Sequence, residues 1–544
     1  MPLKENSALT FYTKKAINVF AQINKTQWLF IIILAIGIFS RTWDFRNTPP
    51  GLNSDEASIG IEAYDLYKFG MDRNGISYPV HLISWGTGQN VLYAYMLIPL
   101  IALKGQLTPV IIRLPIMLAG IFSLPLMYYV GKKLFGTKSA LIAMFLMAIS
   151  PYHIVNSRWA VESNILPFVF LVGFAFLLAS KKNGVWFIPA FVCFALSLYA
   201  YGTAYVAIPV FMALCIPVII YLRKVETKYL IAGLLLFGLL ALPIFLFVMI
   251  NSFKLDTIHI GNVTIPRLPA EPRYESLAAV SGKAPLIAMA NNIGIMFDLL
   301  WKQEDAFSWN FVEPFGYFYT YTFPLIAIGF YFLLTSFKTT QENTFERWLL
   351  LSWIISSLCI GVIHPVNLTR LNLIFTPLLF CVVICLDELS KCIKYLSEIA
   401  LVALSIGFIF FTLAYHGVTY EKQADEVFNA GIIPAIEFAD QNSKSAVCIT
   451  EQTSFAYIYV LFVKKYDPAE YVDRIEWLLP NDYPLNPART PKALGEFRFR
   501  TSDCAQDPSA IFILKLKETP PNQQIAYKTK RFTKYEVYLP KVIP

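Results

Sequence analysis

Charge is scarce in this sequence. Only 15% of its 544 residues are Asp, Glu, Lys or Arg, against roughly a quarter in a typical soluble domain. With 56% hydrophobic residues and a mean hydropathy of +0.52, the shortage excludes an ordinary soluble enzyme and a disordered chain. Histidine is scarcer still. The five histidines are scattered, with no HExxH pair and no ligand cluster, so no required metal is expected, although the acidic first loop described below admits a divalent ion. The eight cysteines lack zinc-ligand spacing, and six lie in or beside apolar runs, where they read as small apolar residues. There is no phosphate-binding Walker loop and no dinucleotide glycine fingerprint, which argues against ATP or nucleotide sugars as direct substrates. The formal charge is +8, but the basic residues sit in short loops rather than in one patch. Nucleic acid is therefore not an expected partner.

Long apolar runs fill the sequence instead. Runs of about 17–25 apolar residues can cross hydrocarbon as helices. Eleven are present, near 27–44, 111–131, 139–157, 164–180, 185–202, 205–222, 229–250, 317–337, 347–363, 369–387 and 396–415. The first reads as a retained span, because Lys14, Lys15 and Lys25 precede a run too long for the apolar part of a removable signal. The shorter run VLYAYMLIPLIAL, residues 91–103, is expected as an interfacial or re-entrant helix. A cytoplasmic N-terminus puts Lys132, Lys133 and Lys138, then Lys181 and Lys182, then Arg223, Lys224 and Lys228, then Lys338 and Arg347, then Lys391 and Lys394 on the inside. The short outer loops keep little more than Arg158 and Arg370. This is the positive-inside pattern. It predicts a multi-pass plasma-membrane protein with residues 45–110, 251–316 and the chain after about 416 outside. Most of the spans carry no charge at their centres, which argues against ion-coupled transport. Chemistry is expected at the outer membrane–water boundary.

The fold class that follows is an α-helical polytopic membrane domain over residues 1–416, with interfacial helices in its first outer loop, and a small extracytoplasmic α/β domain over 417–544. In the tail, residues 431–440 and 454–465 suit helices, and 445–450, 510–516 and 534–540 suit strands. Cys448 and Cys504 can pair in an oxidising compartment, but Cys448 reads as buried within a strand, which favours a free thiol.

The segment PPGLNSDEASIGIEAYDLYKFG, residues 49–70, places two adjacent acids just after the first span. Ser54 suits an N-cap, Ala57, Ile61, Tyr64 and Tyr67 suit one apolar face, and Gly70 suits a stop. A surface-lying amphipathic helix is expected. Asp55 and Glu56 then either complement the positive helix end or do chemistry, and spacing alone leaves both open.

That segment, with RLPIMLAGIFSLPLMYYVGKKLFG (113–136), SPYHIVNSRWAVESN (150–164), LSLYAYGTAYVAIP (196–209), FGYFYTYTFPLIAIG (315–329) and NLTRLNLIFTPL (367–378), resembles the membrane-embedded GT-C glycosyltransferases. The resemblance is to bacterial relatives of the protein O-mannosyltransferase and aminoarabinose transferase family, and it runs over the first 415 residues. It implies sugar transfer on the outer face from a polyprenyl-phosphate donor in the membrane lipid to an acceptor on a protein, a lipid or a cell-envelope glycan. It implies about eleven transmembrane helices of GT-C type. It places Asp55 where the family carries its catalytic carboxylate and Glu162 where a second acid often stands, with Glu56, Gln89, His153, Arg158, Arg370 and Asn372 as candidate substrate-binding residues. Glu162 also reads as a loop acid paired with Arg158 four residues earlier. His153 shares that loop and reads equally as a helix-end residue. Arg370, followed by Asn372, suits a phosphate contact through its planar guanidinium or an interfacial anchor. Arg267 and Arg273 are weaker candidates of the same kind. Tyr199 and Tyr201 suit a sugar pocket or, more simply, an aromatic belt. At WGTGQNVLYAYMLIP, residues 85–99, Gln89 and Asn90 stand where the family carries a lysine and a proline, so that donor-phosphate cation is missing here. Two other readings remain open on the sequence, a lipid-linked glycan flippase and a non-catalytic envelope assembly protein.

Overall fold

In hydrocarbon every backbone N–H and C=O must be bonded internally, so long apolar runs become helices. The computed structural model describes residues 24–222, 227–272, 279, 284–305, 307–339, 343–425, 427–476 and 491–541. Its helices are α1 Lys25–Thr42, α2 Ser54–Phe69, α3 Leu92–Lys104, α4 Pro109–Phe135, α5 Thr137–Ile149, α6 Pro151–Asn156, α7 Glu162–Ala179, α8 Phe187–Ala200, α9 Ala204–Leu222 and α10 Thr227–Ser252. They continue with α11 Pro285–Lys302, α12 Phe323–Thr339, α13 Thr344–Ile363, α14 Phe375–Leu389, α15 Leu396–Tyr415, α16 Val418–Asp425, α17 Ile432–Asn442, α18 Ala456–Lys464 and α19 Pro468–Arg474.

Among the described residues, nine helices are long and apolar enough to cross a membrane, and each falls on an expected span. The other two expected spans are shorter helices. α5 stops at Ser150 because Pro151 disfavours the helical conformation in the residue before it. α8 begins after a 3-10 turn at Gly184–Trp186 and ends at Tyr201, whose backbone is extended. Small residues let helices approach closely. A Cβ added at Gly329 of α12 would lie 1.7 Å from the Cys381 carbonyl oxygen of α14, so only glycine fits that crossing. Lys181, beyond the end of α7, pairs with Glu346 at the start of α13, and Lys133 lies near both. These residues gather at the opposite end of α7 from Glu162.

The first-loop helix differs from expectation in two ways. Its N-cap is Asn53, not Ser54. The Asn53 side chain accepts from Asp55 N, and its backbone N–H donates to Glu56. Nor does α2 keep a wet polar face, since residues 56–63, Asp65 and Leu66 are all buried. α3 covers one side and α18 of the C-terminal region another. The helix ends as expected at Gly70, with φ +71.

The C-terminal region forms a seven-stranded sheet in the order β4-β5-β6-β3-β7-β9-β8, with β3 (Val447–Ile449) parallel to β6 (Phe497–Arg498) and β7 (Ile511–Lys515). The remaining strands are β4 (Ile475–Glu476), β5 (Ala493–Leu494), β8 (Tyr527–Phe532) and β9 (Tyr535–Pro540), and a separate hairpin pairs β1 (Ile258–Ile260) with β2 (Val263–Ile265). Both expected tail helices and all three expected strands are present. Cys448 does sit buried in β3, yet it is not a free thiol. The turn Thr501–Cys504 packs against that strand and bridges Cys504 to Cys448 in a disulfide. The C-terminal region is bound to the first loop. Leu52 N donates to Phe428 O at 2.7 Å, and Tyr459 Oη donates to Leu52 O at 2.9 Å. A Cβ on Gly51, whose φ is +66, would meet that Phe428 oxygen at 2.1 Å, so this junction requires glycine.

Candidate active site

The junction of helix ends, first loop and C-terminal region encloses a cavity of about 600 Å³. Its walls come from the start of α2 (Asn53 to Asp55), from Trp85 and Thr87, and from the turn and first residues of α7 (Trp159 to Ser163). Tyr201, Trp309 and the 367–370 segment complete the membrane-domain side, and Gln452, Ser454 and Phe455 close it from the C-terminal region. A side chamber of about 90 Å³ shares Thr87, Glu162, Tyr201 and Arg370 with it and adds His81, Asn90, Thr203 and His364. His81 stacks on Phe247 with centroids 4.2 Å apart, and burial pulls its pKa down to about 4, so it is neutral at physiological pH.

Helix geometry separates the two adjacent acids. Asp55 is half-buried on the cavity wall and accepts a hydrogen bond from the Trp85 indole N–H at 3.1 Å. Glu56 turns inward and is fully buried. Arg113 donates to both its oxygens at 2.7 Å, Ala160 N donates at 2.7 Å and Asn53 N at 3.0 Å. The expected substrate contact of Glu56 is thus replaced by a structural one. Its carboxylate ties α2, α4 and the start of α7 together.

Glu162 also stands on the cavity wall, at the first position of α7, where a carboxylate complements the helix end. Gln89 Nε2 donates to it at 2.9 Å. Gln89 is itself buried and receives the Ser84 hydroxyl at 2.9 Å, so it holds Glu162 rather than lining either chamber. The expected Arg158–Glu162 pair does not form. Arg158 is fully buried and donates to the carbonyls of Ser40, Trp43 and Thr48, locking α1 and the first loop. Arg370 lines both chambers, with Nη1 on the Pro365 carbonyl at 2.8 Å.

Four other candidates, His153, Asn372, Arg267 and Tyr199, lie away from the cavity. His153 meets Arg41 at 2.6 Å in a separate small pocket between α4 and α7. Asn372 is buried, and its amide donates to Ser163 O at 2.5 Å. Arg267 is exposed, and Arg273 lies outside the described residues. Tyr201 lines both chambers, whereas Tyr199 donates to Leu240 O at 2.7 Å away from them. The residues that the sequence reading missed are Trp85, Trp309 and the C-terminal Gln452–Phe455 segment. Trp85 had a signal, as a tryptophan among glycines in the first outer loop. Gln452–Phe455 had none, because its place depends on how the sheet docks. Among the described residues, no group of three His, Cys, Asp or Glu side chains is placed to hold a metal ion.

A sequence profile of the dolichyl-phosphate-mannose-protein mannosyltransferase family matches residues 89–250. No curated protein matches the chain by sequence. Among solved structures, ArnT from Cupriavidus metallidurans, bound to undecaprenyl phosphate, aligns over 95% of this chain and 98% of its own, with a TM-score of 0.55 and 11% identity. The chain has the GT-C fold. The apo form of the same ArnT aligns with a TM-score of 0.51 and 9% identity over 94% of this chain and 97% of its own. The Archaeoglobus fulgidus oligosaccharyltransferase aligns with a TM-score of 0.50 and 12% identity over 82% of this chain, which spans 64% of that protein's length. The profile match contains Gln89, His153, Arg158 and Glu162, but not Asp55 or Arg370. The GT-C likeness runs over 95% of this chain, and the cavity residues must be argued from their own geometry.

Proposed function

We propose that the protein transfers a sugar from a polyprenyl-phosphate donor to an acceptor hydroxyl or amine on the outer face of the plasma membrane. The observation that carries this reading is that one cavity gathers Asp55, Glu162 and Arg370 from segments more than a hundred residues apart. A carboxylate as base and a guanidinium for the leaving phosphate are what the displacement needs, and the second carboxylate is placed to orient hydroxyls. In this reading residues 1–416 form the transferase body with a cytoplasmic N-terminus, and residues 417–544 lie outside as its cover.

Asp55 takes the proton of the acceptor hydroxyl as its oxygen attacks the anomeric carbon. Such help typically contributes about 10²–10⁴-fold. The bond from that carbon to the phosphate oxygen breaks, and its electron pair leaves on the phosphate. The leaving group is already a stable anion and needs no acid. Arg370 stabilises the growing charge, in place of the cation missing at Gln89. Glu162, held by Gln89, orients sugar or acceptor hydroxyls. One base and a single displacement invert the anomeric configuration. No step is assigned to a metal, so a chelator is expected to leave the rate unchanged.

The test uses purified protein in lipid nanodiscs with a panel of polyprenyl-phosphate sugars and protein, lipid and glycan acceptors. Release of free polyprenyl phosphate and the anomeric configuration of the product are read by mass spectrometry and NMR. Release with inversion supports the reading. Retention overturns the single displacement, and no release across the panel favours a flippase or an assembly role.

A further inference from the structure

Trp85 is buried, 5% exposed, between the first-loop acids and the C-terminal region. Its indole N–H donates to Asp55 Oδ1 at 3.1 Å. The ring is held from several directions. The Arg73 guanidinium lies 4.8 Å from the ring centroid and is itself fixed by Glu62 at 3.3 Å and by the Ser58 hydroxyl at 2.9 Å. Phe455 packs at 4.6 Å and Tyr457 edge-on at 6.3 Å, both at the start of α18. Phe455 has a φ of +54, a left-handed conformation uncommon for a bulky side chain. That strained turn brings the ring both onto Trp85 and into the cavity wall. Strain of this kind persists where the surroundings over-determine it, and it concentrates at functional sites.

We infer that Trp85 is a positioning residue for Asp55, and that Phe455 completes its support, so that the C-terminal region acts on the chemical step. The inference rests on the reading of Asp55 as the base. A donor on one carboxylate oxygen fixes the plane of the group, and a misplacement of about 1 Å costs on the order of a hundredfold in rate. The C-terminal region thus does more than roof the cavity, because the first turn of α18 braces the indole that holds the base.

Two readouts on the full-length protein in nanodiscs test this. The first needs no turnover. Asp55 is coupled to a labelled amine by a carbodiimide at fixed pH and quantified by peptide mass spectrometry. Trp85→Phe keeps the ring and removes the donor, and is expected to raise Asp55 labelling about fivefold, with Glu162 labelling unchanged. Phe455→Ala is expected to act in the same direction, and Phe455→Tyr to restore the wild-type value. The second readout is kinetic. Trp85→Phe and Phe455→Ala are expected to lower kcat about ten- to hundredfold, with the donor KM within about twofold. Wild-type labelling in both Trp85→Phe and Phe455→Ala overturns the inference, as does an unchanged kcat in an active protein. Raised labelling in a protein that transfers no sugar leaves the hold on Asp55 standing and removes the transferase reading instead.

Discussion

Successive side chains on a helix point about 100° apart, so Asp55 and Glu56 cannot face the same surroundings. Asp55 meets the cavity, and Glu56 meets Arg113 in the protein interior. A buried ion pair repays its desolvation only when its remaining atoms are also bonded, and here backbone donors on Glu56 and the Pro49 and Gly51 carbonyls on Arg113 complete it. Removing one partner strands the other charge. Glu56→Ala is therefore expected to destabilise the protein by about 3–5 kcal/mol, read as a lower midpoint of heat-induced unfolding in detergent. Asp55→Asn is expected to leave that midpoint unchanged, and equal losses in both variants would contradict the division of roles. The sequence showed the pair but not which acid turns inward. That depends on α2 being capped by Asn53, one residue earlier than the cap Ser54 suggests.

At the scale of elements, α2 is the piece whose setting was least legible. Its apolar spacing reads as a surface helix, yet a buried polar cluster of Glu62, Asp65 and Asp72 around Arg73 lies beneath the C-terminal region. Burial is the main cause that raises the Asp65 pKa to about 9, with Glu62 adding to it, and burial likewise raises that of Asp72 to about 8. An acid whose folded pKa is raised takes up a proton on folding. Its contribution to stability is therefore present at low pH and is lost as pH rises from the unfolded value near 4 towards about 9 for Asp65. The unfolding midpoint is expected to fall between pH 5 and pH 9, and to fall less in Asp65→Asn. A variant that loses as much as wild type over that range would remove Asp65 as a cause. The apolar helices, by contrast, were legible nearly throughout, because length and composition alone decide them. Only the breaks at Ser150–Pro151 and around Gly184–Trp186 shortened two of them.

The whole molecule joins a helical bundle to a sheet that braces the bundle's cavity. The loop charges predict a tail outside the membrane, and a disulfide between Cys448 and Cys504 would persist there only if that compartment is oxidising. Protein purified without reductant and denatured is expected to take up six maleimide labels, rising to eight after reduction, since six of the eight cysteines are free. Eight labels before reduction would contradict the outward placement of the tail. That pairing escaped the sequence because the turn carrying Cys504 packs on β3 only once the sheet is built. The cavity escaped it in part for the same reason. Asp55, Glu162 and Arg370 stood out in the sequence as candidates, whereas the packing of Phe455 on Trp85 became visible only through a contact across some 370 residues of chain.

The central claim is that Asp55 is the base of a lipid-dependent sugar transfer. The measurement that tests it most directly is release of free polyprenyl phosphate in nanodiscs by wild type, Asp55→Asn and Glu162→Gln side by side. The account predicts a loss of about a hundredfold or more for Asp55→Asn and a smaller loss for Glu162→Gln. Wild-type release by Asp55→Asn would contradict it and return Asp55 to the role of a helix-end acid.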